Sequence, residues 1–184
     1  IGGMVGNNSS GTTSIQYGVT RDKVLALDCI LSDGSQVCFS SISKETFIEK
    51  TKLDSLEGSI YKELHSVLHD KEVHQEIREQ FPKPEIHRRN TGYALDELID
   101  TTVFGGDNSF NMCTLLSGSE GTLAFTTAIT LQLDNLPPEK TAMLVTHYDS
   151  LEKGLLDVVH AMKHELYCCE LMDDIILERT KENT

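Results

Sequence analysis

The residues best suited to chemistry are two glycines and a carboxylate in the stretch 117–133, SGSEGTLAFTTAITLQL. Gly118 and Gly121 permit backbone angles and close approaches that a Cβ would block. Glu120 lies between them. This arrangement predicts a turn whose backbone can lie against a flat or anionic ligand, with one carboxylate beside it. The alternative is a tight turn without a ligand, since short glycine motifs have a high false-positive rate.

A second glycine-rich stretch, IGGMVGNNSSG, opens the sequence. Gly2, Gly3 and Gly11 offer backbone N–H groups, and Asn8 adds a small side chain of the kind that holds a pyrophosphate or a polar ring edge. The spacing is not GxGxxG and no strand precedes it, so a Rossmann loop is not predicted. The alternative is an N-terminal segment without order. No regular element is predicted before Tyr17.

The most basic part of an acidic chain is IHRRNTGYALDELI. Arginine holds a carboxylate through a two-pronged hydrogen-bond fork, and a helix N-terminus favours anions, so Arg88 and Arg89 predict a carboxylate-binding corner. The alternative is two surface arginines that offset local acids. His87 is interpreted as a surface residue, which leaves the catalytic base unidentified.

Two histidine pairs are each spaced one helical turn apart, His65 with His69 and His160 with His164. Neither pair lies in an HExxH motif, and no cysteine or carboxylate ligands gather beside them in the sequence. The interpretation is solvated helix faces and no metal site. The five cysteines are odd in number and contain no CxxC, which favours reduced thiols over disulfides or a zinc or iron–sulfur site.

The elements that position these residues are predicted from hydrophobic spacing and turn signals. Residues 24–31 and 36–40 read as the two strands of a hairpin around the turn SDGS. Asp54 is predicted to cap a helix that runs to about His69. The remaining predicted elements are a helix over 71–80 that ends before FPKP, a short helix in ALDELI, a loop over 104–111 and a core strand over 124–133.

A second structural unit is predicted after the Pro137–Pro138 pair. Its predicted elements are a strand over 141–148, a helix capped by Ser150 that runs to about Leu166, a strand over 167–173 and a further helix from about Asp173. One strand–helix–strand with a trailing helix cannot bury both faces of its sheet. We therefore expect this unit to be truncated or completed by a partner.

Composition restricts the classes of function. The chain has 184 residues, 39% hydrophobic and 24% charged, which is typical of a globular protein. A formal net charge of −13 disfavours nucleic acid as a partner. No apolar run is long enough to span a membrane and no leader resembles a signal peptide, so a cytoplasmic location is predicted. Because the chain opens on Ile1 inside a glycine-rich stretch, we expect a fragment of a longer protein.

Four motifs occur in order along the chain: IGGMVGNNSSG, YGVTRDKVLALDCILSDG, RRNTGYALDEL and LLSGSEGTLAFTTAITLQL. Together they resemble the FAD-linked oxidoreductases of the glycolate oxidase, D-lactate dehydrogenase and D-2-hydroxyglutarate dehydrogenase group, within the vanillyl-alcohol-oxidase-like flavoproteins. The resemblance covers residues 1 to about 136 and, more loosely, the ELMD region.

The resemblance implies an α+β fold. Residues 1–136 would form the second subdomain of a PCMH-type FAD-binding domain, a mixed or antiparallel sheet flanked by helices. Residues 137–184 would begin an α+β cap domain. It also implies that the upstream glycine-rich loop and the histidine-rich cap segment of such an enzyme lie outside this sequence.

The resemblance further implies roles for individual residues. FAD contacts would come from Gly2, Gly3, Asn8, Gly11, Tyr17, Gly18, Glu120, Gly121, Ala124 and Phe125. Arg88 and Thr91 would lie near the substrate carboxylate. Ala124 stands where the family usually has glycine, which would crowd the backbone approach to the cofactor.

The implied activity is oxidation of a small D-2-hydroxy acid by hydride transfer to FAD, with the fragment inactive by itself. The electron acceptor is not identified, and an iron–sulfur domain elsewhere in a longer chain is one option. The alternative is a non-catalytic ligand-binding or interaction domain that retains the fold, and a flavin-dependent reductase that uses NAD(P)H is less consistent with RRNTGYAL.

Overall fold

The computed structural model describes residues 1–86, 88–90 and 92–181. The chain divides into two compact units: residues 1–9 with 19–133, and residues 10–18 with 134 onward. The first unit contains the four strands found among the described residues and has an α+β architecture. The predicted division into an FAD-binding and a cap domain after residue 136 stays a prediction.

An antiparallel sheet is the centre of the first unit. Its strands are β1 (Val24–Ile30), β2 (Gln36–Ile42), β3 (Phe110–Asn111) and β4 (Phe125–Leu131), in the order β3-β2-β1-β4. The predicted hairpin is confirmed as β1 and β2, with Gly34 at φ 84° in the turn between them. The predicted strand after the SGSEG turn is confirmed as β4, but its predicted core position is wrong, since β4 pairs with β1 at one edge of the sheet and none of its residues is fully buried.

Side chains of β1 show why one face of this sheet packs and the other is exposed. Leu27 lies opposite Phe39 on β2 and Ile129 on β4, and Leu27 and Phe39 are both buried. Leu27 and Cys29 alternate with exposed Asp28, as expected for a half-buried antiparallel sheet. Val24 is also buried because a register shift near the start of β1 changes the phase of the alternation.

Short helices surround the sheet. In the first unit they are α1 (Gly2–Gly6), a 3₁₀ turn (Thr20–Lys23), α3 (Lys44–Lys50), α4 (Leu56–Leu68), α5 (Lys71–Gln80), α6 (Leu95–Ile99) and α7 (Cys113–Leu116); in the second they are α2 (Ser14–Tyr17), α8 (Leu151–Ala161) and α9 (Asp174–Lys181). Among the described residues, none of these helices has the length and hydropathy needed to cross a bilayer.

Aromatic rings form the centre of the core. The Phe47 ring of α3 meets the rings of Tyr61, Phe104 and Phe110 at centroid distances of 5.2, 5.9 and 4.7 Å. Each pair is close to edge-on, the arrangement that aromatic quadrupoles favour. Helix α3 was not predicted, although Ser43 caps it by accepting a hydrogen bond from the backbone N–H of Thr46.

Three further predictions in the first part of the chain are corrected. Ser55, not Asp54, caps α4, because its hydroxyl accepts the hydrogen bond of the Gly58 N–H. The segment before Tyr17 is not irregular throughout, since it contains α1 and α2. The predicted loop over 104–111 ends in the short strand β3, which pairs with the end of β2.

The second unit contains helices but no strand among its described residues. Helix α8 is capped by Ser150 as predicted and ends at Ala161, before the predicted end at Leu166. The strands predicted over 141–148 and 167–173 are wrong. Met143 and Leu144 are 88% and 89% exposed, so within this unit the segment has no neighbouring strand to supply hydrogen bonds and apolar cover.

Candidate functional site

The N-terminal glycine-rich segment and the SGSEG turn lie against each other in the first unit. The backbone N–H of Gly118 donates to the carbonyl of Val5 at 2.9 Å, and the N–H of Glu120 donates to the carbonyl of Gly6 at 2.8 Å. Gly118 has φ 92° and Glu120 has φ 55°, so both residues adopt left-handed backbone angles to make this contact. Two motifs at opposite ends of the unit's sequence therefore form one surface.

The buried Asn8 and the half-buried Arg21 connect these two segments. Asn8 is 0% exposed, and its side-chain Oδ1 accepts a 2.7 Å hydrogen bond from the backbone N–H of Arg21. The Arg21 guanidinium extends to the turn, where Nη2 donates to the carbonyl of Ser117 at 2.7 Å and Nε donates to the carbonyl of Thr114 at 3.0 Å. Burial lowers the pKa of Arg21 from its ordinary value.

The RRNTGY segment joins the same cluster through two residues. The side-chain amides of Asn8 and Asn90 lie 3.2 Å apart. The hydroxyls of Tyr93 and Thr122 form a hydrogen bond of 2.8 Å. Residues from all four motifs therefore meet in one place. We call the residues that make these contacts the motif junction: Asn8, Arg21, Asn90, Tyr93, Ser117, Gly118 and Thr122.

The predicted cofactor residues Gly2 and Gly3 lie on the open side of the junction. An added Cβ at either glycine would meet no heavy atom within 4 Å. The surrounding protein therefore has room for a side chain at both positions. A cleft of about 330 Å³ lies between Ile1 and Gly2 on one side and five residues of the edge strand β4 on the other. The uncovered backbone of this segment is accessible to a ligand.

The other predicted cofactor residues of the turn and of β4 differ in exposure. Glu120 and Gly121 are exposed at the surface of the turn. Ala124 is half-buried against the core, whereas the Phe125 side chain that follows it is 70% exposed. An exposed phenylalanine at the start of an edge strand is an available contact for a flat ring.

Three predicted cofactor residues belong to the second unit. The Gly11 N–H donates to the Ser14 hydroxyl at 2.9 Å. The Tyr17 ring meets the Tyr167 ring edge-on at 5.9 Å, and Gly18 follows with φ 75°. Within their own unit Tyr17 is the last residue of the short helix α2 and Gly18 is its C-cap, while Gly11 precedes the helix.

The two arginines of the basic stretch, Arg88 and Arg89, have different surroundings. Arg89 forms ion pairs with Asp96 and Glu97 of α6, and burial raises the pKa of Asp96 despite the adjacent guanidinium. Arg88 is exposed and makes no ion pair with any described residue, so it is the arginine available to a carboxylate ligand. Thr91 and His87 lie outside the described residues.

The histidine pairs have different surroundings. The His65 and His69 rings stack at 5.0 Å, and His65 also lies near the rings of Phe47 and Phe104. His160 lies in the last turn of α8. Among residues 1–86, 88–90 and 92–181, no three His, Cys, Asp or Glu side chains converge as metal ligands would.

Sequence reasoning missed the roles of Arg21, Asn90, Tyr93 and Ser117 in the junction. Arg21 occurs in TRDK, where its neighbours are charged and give the local pattern of a surface residue. Ser117 is fully buried, and its hydroxyl has no hydrogen-bond partner among the described residues. The available signal was the order of the four motifs, which predicts that they act together but does not say which side chains join them.

Comparison with known proteins supports the resemblance. The chain is 33% identical over 187 residues to a D-2-hydroxyglutarate dehydrogenase of Haemophilus influenzae and 28% identical over 183 residues to that of Escherichia coli, with the whole chain covered in both. A D-2-hydroxyglutarate dehydrogenase of Pseudomonas putida is 31% identical over 179 residues, which is 96% of the chain. The predicted resemblance to this oxidoreductase group is thereby confirmed.

The chain spans 17% of the length of each of these relatives. No protein-family model matches the sequence. No solved structure matches it.

Proposed function

We propose that this chain forms one side of the FAD site in a longer oxidoreductase that acts on a D-2-hydroxy acid. The observation that supports this most strongly is the motif junction, since all four stretches that resemble the flavoprotein group meet there through specific hydrogen bonds. Relatives named D-2-hydroxyglutarate dehydrogenase match the chain over nearly all of its length. In this proposal residues 1–136 belong to a PCMH-type FAD-binding domain and residues 137–184 begin its cap.

The residues present fit one side of such a cofactor. The exposed backbone of Gly2 and Gly3 has no heavy atom where a Cβ would stand, so the diphosphate of a cofactor would have room to approach it closely. The cleft beside β4 is lined by both apolar residues and threonines, and the exposed ring of Phe125 adds an apolar contact for a flat ring system. The N–H groups of Gly118 and Glu120 are already bonded to Val5 and Gly6, so they shape the site and do not bind the ligand.

The chemistry proposed for the complete enzyme follows from this arrangement. Bound flavin would supply the hydride acceptor that oxidises the alcohol to a 2-oxo acid. Arg88 would hold the substrate carboxylate through its two-pronged donor face, with Thr91 beside it. A base outside this chain would take the hydroxyl proton. The protein's contribution within this chain is to bind and orient.

The test is flavin binding by the complete gene product that contains this chain. We expect the purified protein to carry a flavin chromophore, or to gain one on titration with FAD, and to reduce it when a D-2-hydroxy acid is added. If the protein folds and binds no FAD, the proposal is wrong, and a non-catalytic ligand-binding domain with the same fold takes its place. If it binds FAD but no D-2-hydroxy acid reduces the flavin, the substrate class is wrong.

A matched pair of variants locates the cofactor on this chain. Gly3→Leu places a side chain into open space, so we expect the fold to be retained and FAD affinity to fall. Ser59→Leu adds a side chain of the same size to an exposed position on α4, away from the junction, and serves as the control. Equal FAD affinity in the two variants would show that the α1 backbone is not part of the cofactor site.

A further inference from the structure

We propose that Arg21 is a positioning residue for the cofactor site, because its guanidinium fixes the SGSEG turn against the N-terminal glycine-rich segment. This inference rests on the proposed function and adds to it a residue outside the predicted cofactor contacts. Arg21 does not face the open cleft. It acts through the backbone of the turn.

The guanidinium of Arg21 is paired with backbone carbonyls. Two of its nitrogens donate to two carbonyls, those of Thr114 and Ser117, which lie in α7 and at its end. The last carbonyls of a helix have no partner within the helix, and a cationic side chain can satisfy them. Arg21 therefore caps α7 at the point where the chain leaves the helix and enters the turn.

The positive charge of the Arg21 guanidinium also needs stabilisation at this site. Among the described residues Arg21 makes no ion pair with a carboxylate, although the chain contains 29 acidic residues. An arginine stays charged when buried, and a buried charge costs free energy unless it is well hydrogen-bonded. Carbonyl oxygens supply the direct hydrogen bonds here, and the negative charges of Glu97, Asp96 and Asp22 favour the charged form from a greater distance. The planar fork, which lysine lacks, is what reaches two carbonyls at once.

Arg21 also connects the turn to the N-terminal glycine-rich segment. The backbone N–H of Arg21 donates to Asn8 Oδ1, while its side chain holds the carbonyl of Ser117. Gly118 follows directly, and its N–H donates to the carbonyl of Val5. An added Cβ at Gly118 would lie 2.9 Å from Arg21 Nη2, so the missing side chain is what allows the guanidinium to lie there.

The consequence is that Arg21 stabilises the distance between the two glycine-rich segments, which the hydrogen bonds of Gly118 and Glu120 join directly. When the fork is lost, the turn loses its anchor to Arg21 and through it to Asn8. The hydrogen bonds of Gly118 and Glu120 to the N-terminal segment should then open more often. A cofactor that contacts both segments would bind to a site of the wrong width.

The experiment compares Arg21→Lys, which keeps the charge and loses the fork, with Arg78→Lys. Arg78 forms an exposed ion pair with Asp100 on the surface and is the charge-matched control. Amide hydrogen exchange is measured on the flavin-free form of the complete gene product. We expect exchange at Gly118 and Glu120 to be about tenfold faster in Arg21→Lys, with Leu27 and Phe39 of the sheet unchanged. Unchanged exchange at Gly118 and Glu120 would overturn the inference.

The cofactor role is measured in the complete gene product. FAD affinity and the circular dichroism of the bound flavin are compared between Arg21→Lys and Phe47→Leu, a core variant that lowers stability away from the junction. We expect roughly tenfold weaker binding and an altered flavin signal in Arg21→Lys alone. If both variants lose affinity in proportion to their stability, Arg21 is only structural and the positioning role is wrong.

Failure of the proposed function gives a different result. If the complete protein binds no FAD, the proposed function and the cofactor role of Arg21 are both overturned. The exchange measurement on Gly118 and Glu120 still decides whether Arg21 holds the two segments together, because it requires no flavin.

Discussion

The side-chain Oδ1 of Asn8 accepts a 2.7 Å hydrogen bond from the backbone N–H of Arg21, and Asn8 is completely buried. Asn8 was predicted to contact the cofactor, but its side chain forms a hydrogen bond inside the protein. Asn8 also has φ 49°, a left-handed angle that asparagine tolerates better than most residues. The predicted cofactor contact of Asn8 stays a prediction, and the backbone N–H of Asn8 is itself bonded to the carbonyl of Val5.

We predict that Asn8→Ala lowers the free energy of unfolding by about 1–3 kcal/mol, because the Arg21 N–H is left without its acceptor. Ser117→Ala is the matched comparison, since Ser117 is equally buried but its hydroxyl has no hydrogen-bond partner among the described residues. That substitution should be neutral or stabilising. Urea unfolding of both variants measures the difference, and equal losses would contradict the role assigned to Asn8.

We predict that Gly118→Ala destabilises the fold more than Gly34→Ala. Both glycines have positive φ, 92° and 84°, so alanine meets a similar conformational cost at each. Only at Gly118 does the new Cβ approach another group, Arg21 Nη2 at 2.9 Å, whereas Gly34 has open space. The difference between the two thermal unfolding midpoints reports the cost of displacing the guanidinium. Equal midpoints would show that Arg21 adjusts freely.

We predict that substitution of Phe47 lowers the stability of the fold, whereas substitution of Phe125 lowers FAD affinity. Phe47→Ala removes a fully buried ring that contacts three other aromatic rings, so it should cost about 3–5 kcal/mol of unfolding free energy. Phe125→Ala removes a ring that is 70% exposed and should change the stability of this chain by less than about 1 kcal/mol. In the complete protein, Phe125→Ala should instead weaken FAD binding. Denaturant unfolding and FAD titration separate the two effects.

The buried thiol of Cys113 predicts a loss of stability in alkali. Burial raises the pKa of Cys113 from 9.0 to about 12. The unfolded chain releases this proton at lower pH than the folded chain, so the free energy of unfolding should fall as pH rises above about 9. Cys113→Ala should show a shallower fall between about pH 8 and about pH 10 in urea titrations.

Tyr61 also contributes to the fall of the unfolding free energy at high pH, so this fall does not disappear in Cys113→Ala. Burial also raises the pKa of this tyrosine, so ionisation of its hydroxyl in the unfolded chain adds a further loss of stability in strong alkali, which Cys113→Ala retains. Identical pH profiles for the native chain and Cys113→Ala below the ordinary tyrosine pKa would contradict the assignment to Cys113.

The elements whose signals are local were predictable from the sequence. The hairpin of β1 and β2 follows from two apolar runs around SDGS, and α5 follows from a polar run that ends before FPKP. The position of β4 follows from its β-branched residues. The order of the four motifs likewise indicated the oxidoreductase group. Such signals require only neighbours a few residues apart, which is why they can be read along the chain.

Tertiary structure alone decided which side chains meet. Helix α3 is stabilised by the burial of Phe47 among distant rings, and the apolar segment 141–148 is not a strand because its unit supplies no strand beside it. Arg21 has the sequence context of a surface charge, yet its donors meet carbonyls 93 and 96 residues away. A charged residue becomes an internal anchor only when the fold brings unsatisfied carbonyls to it, and no pattern of neighbours encodes that distance.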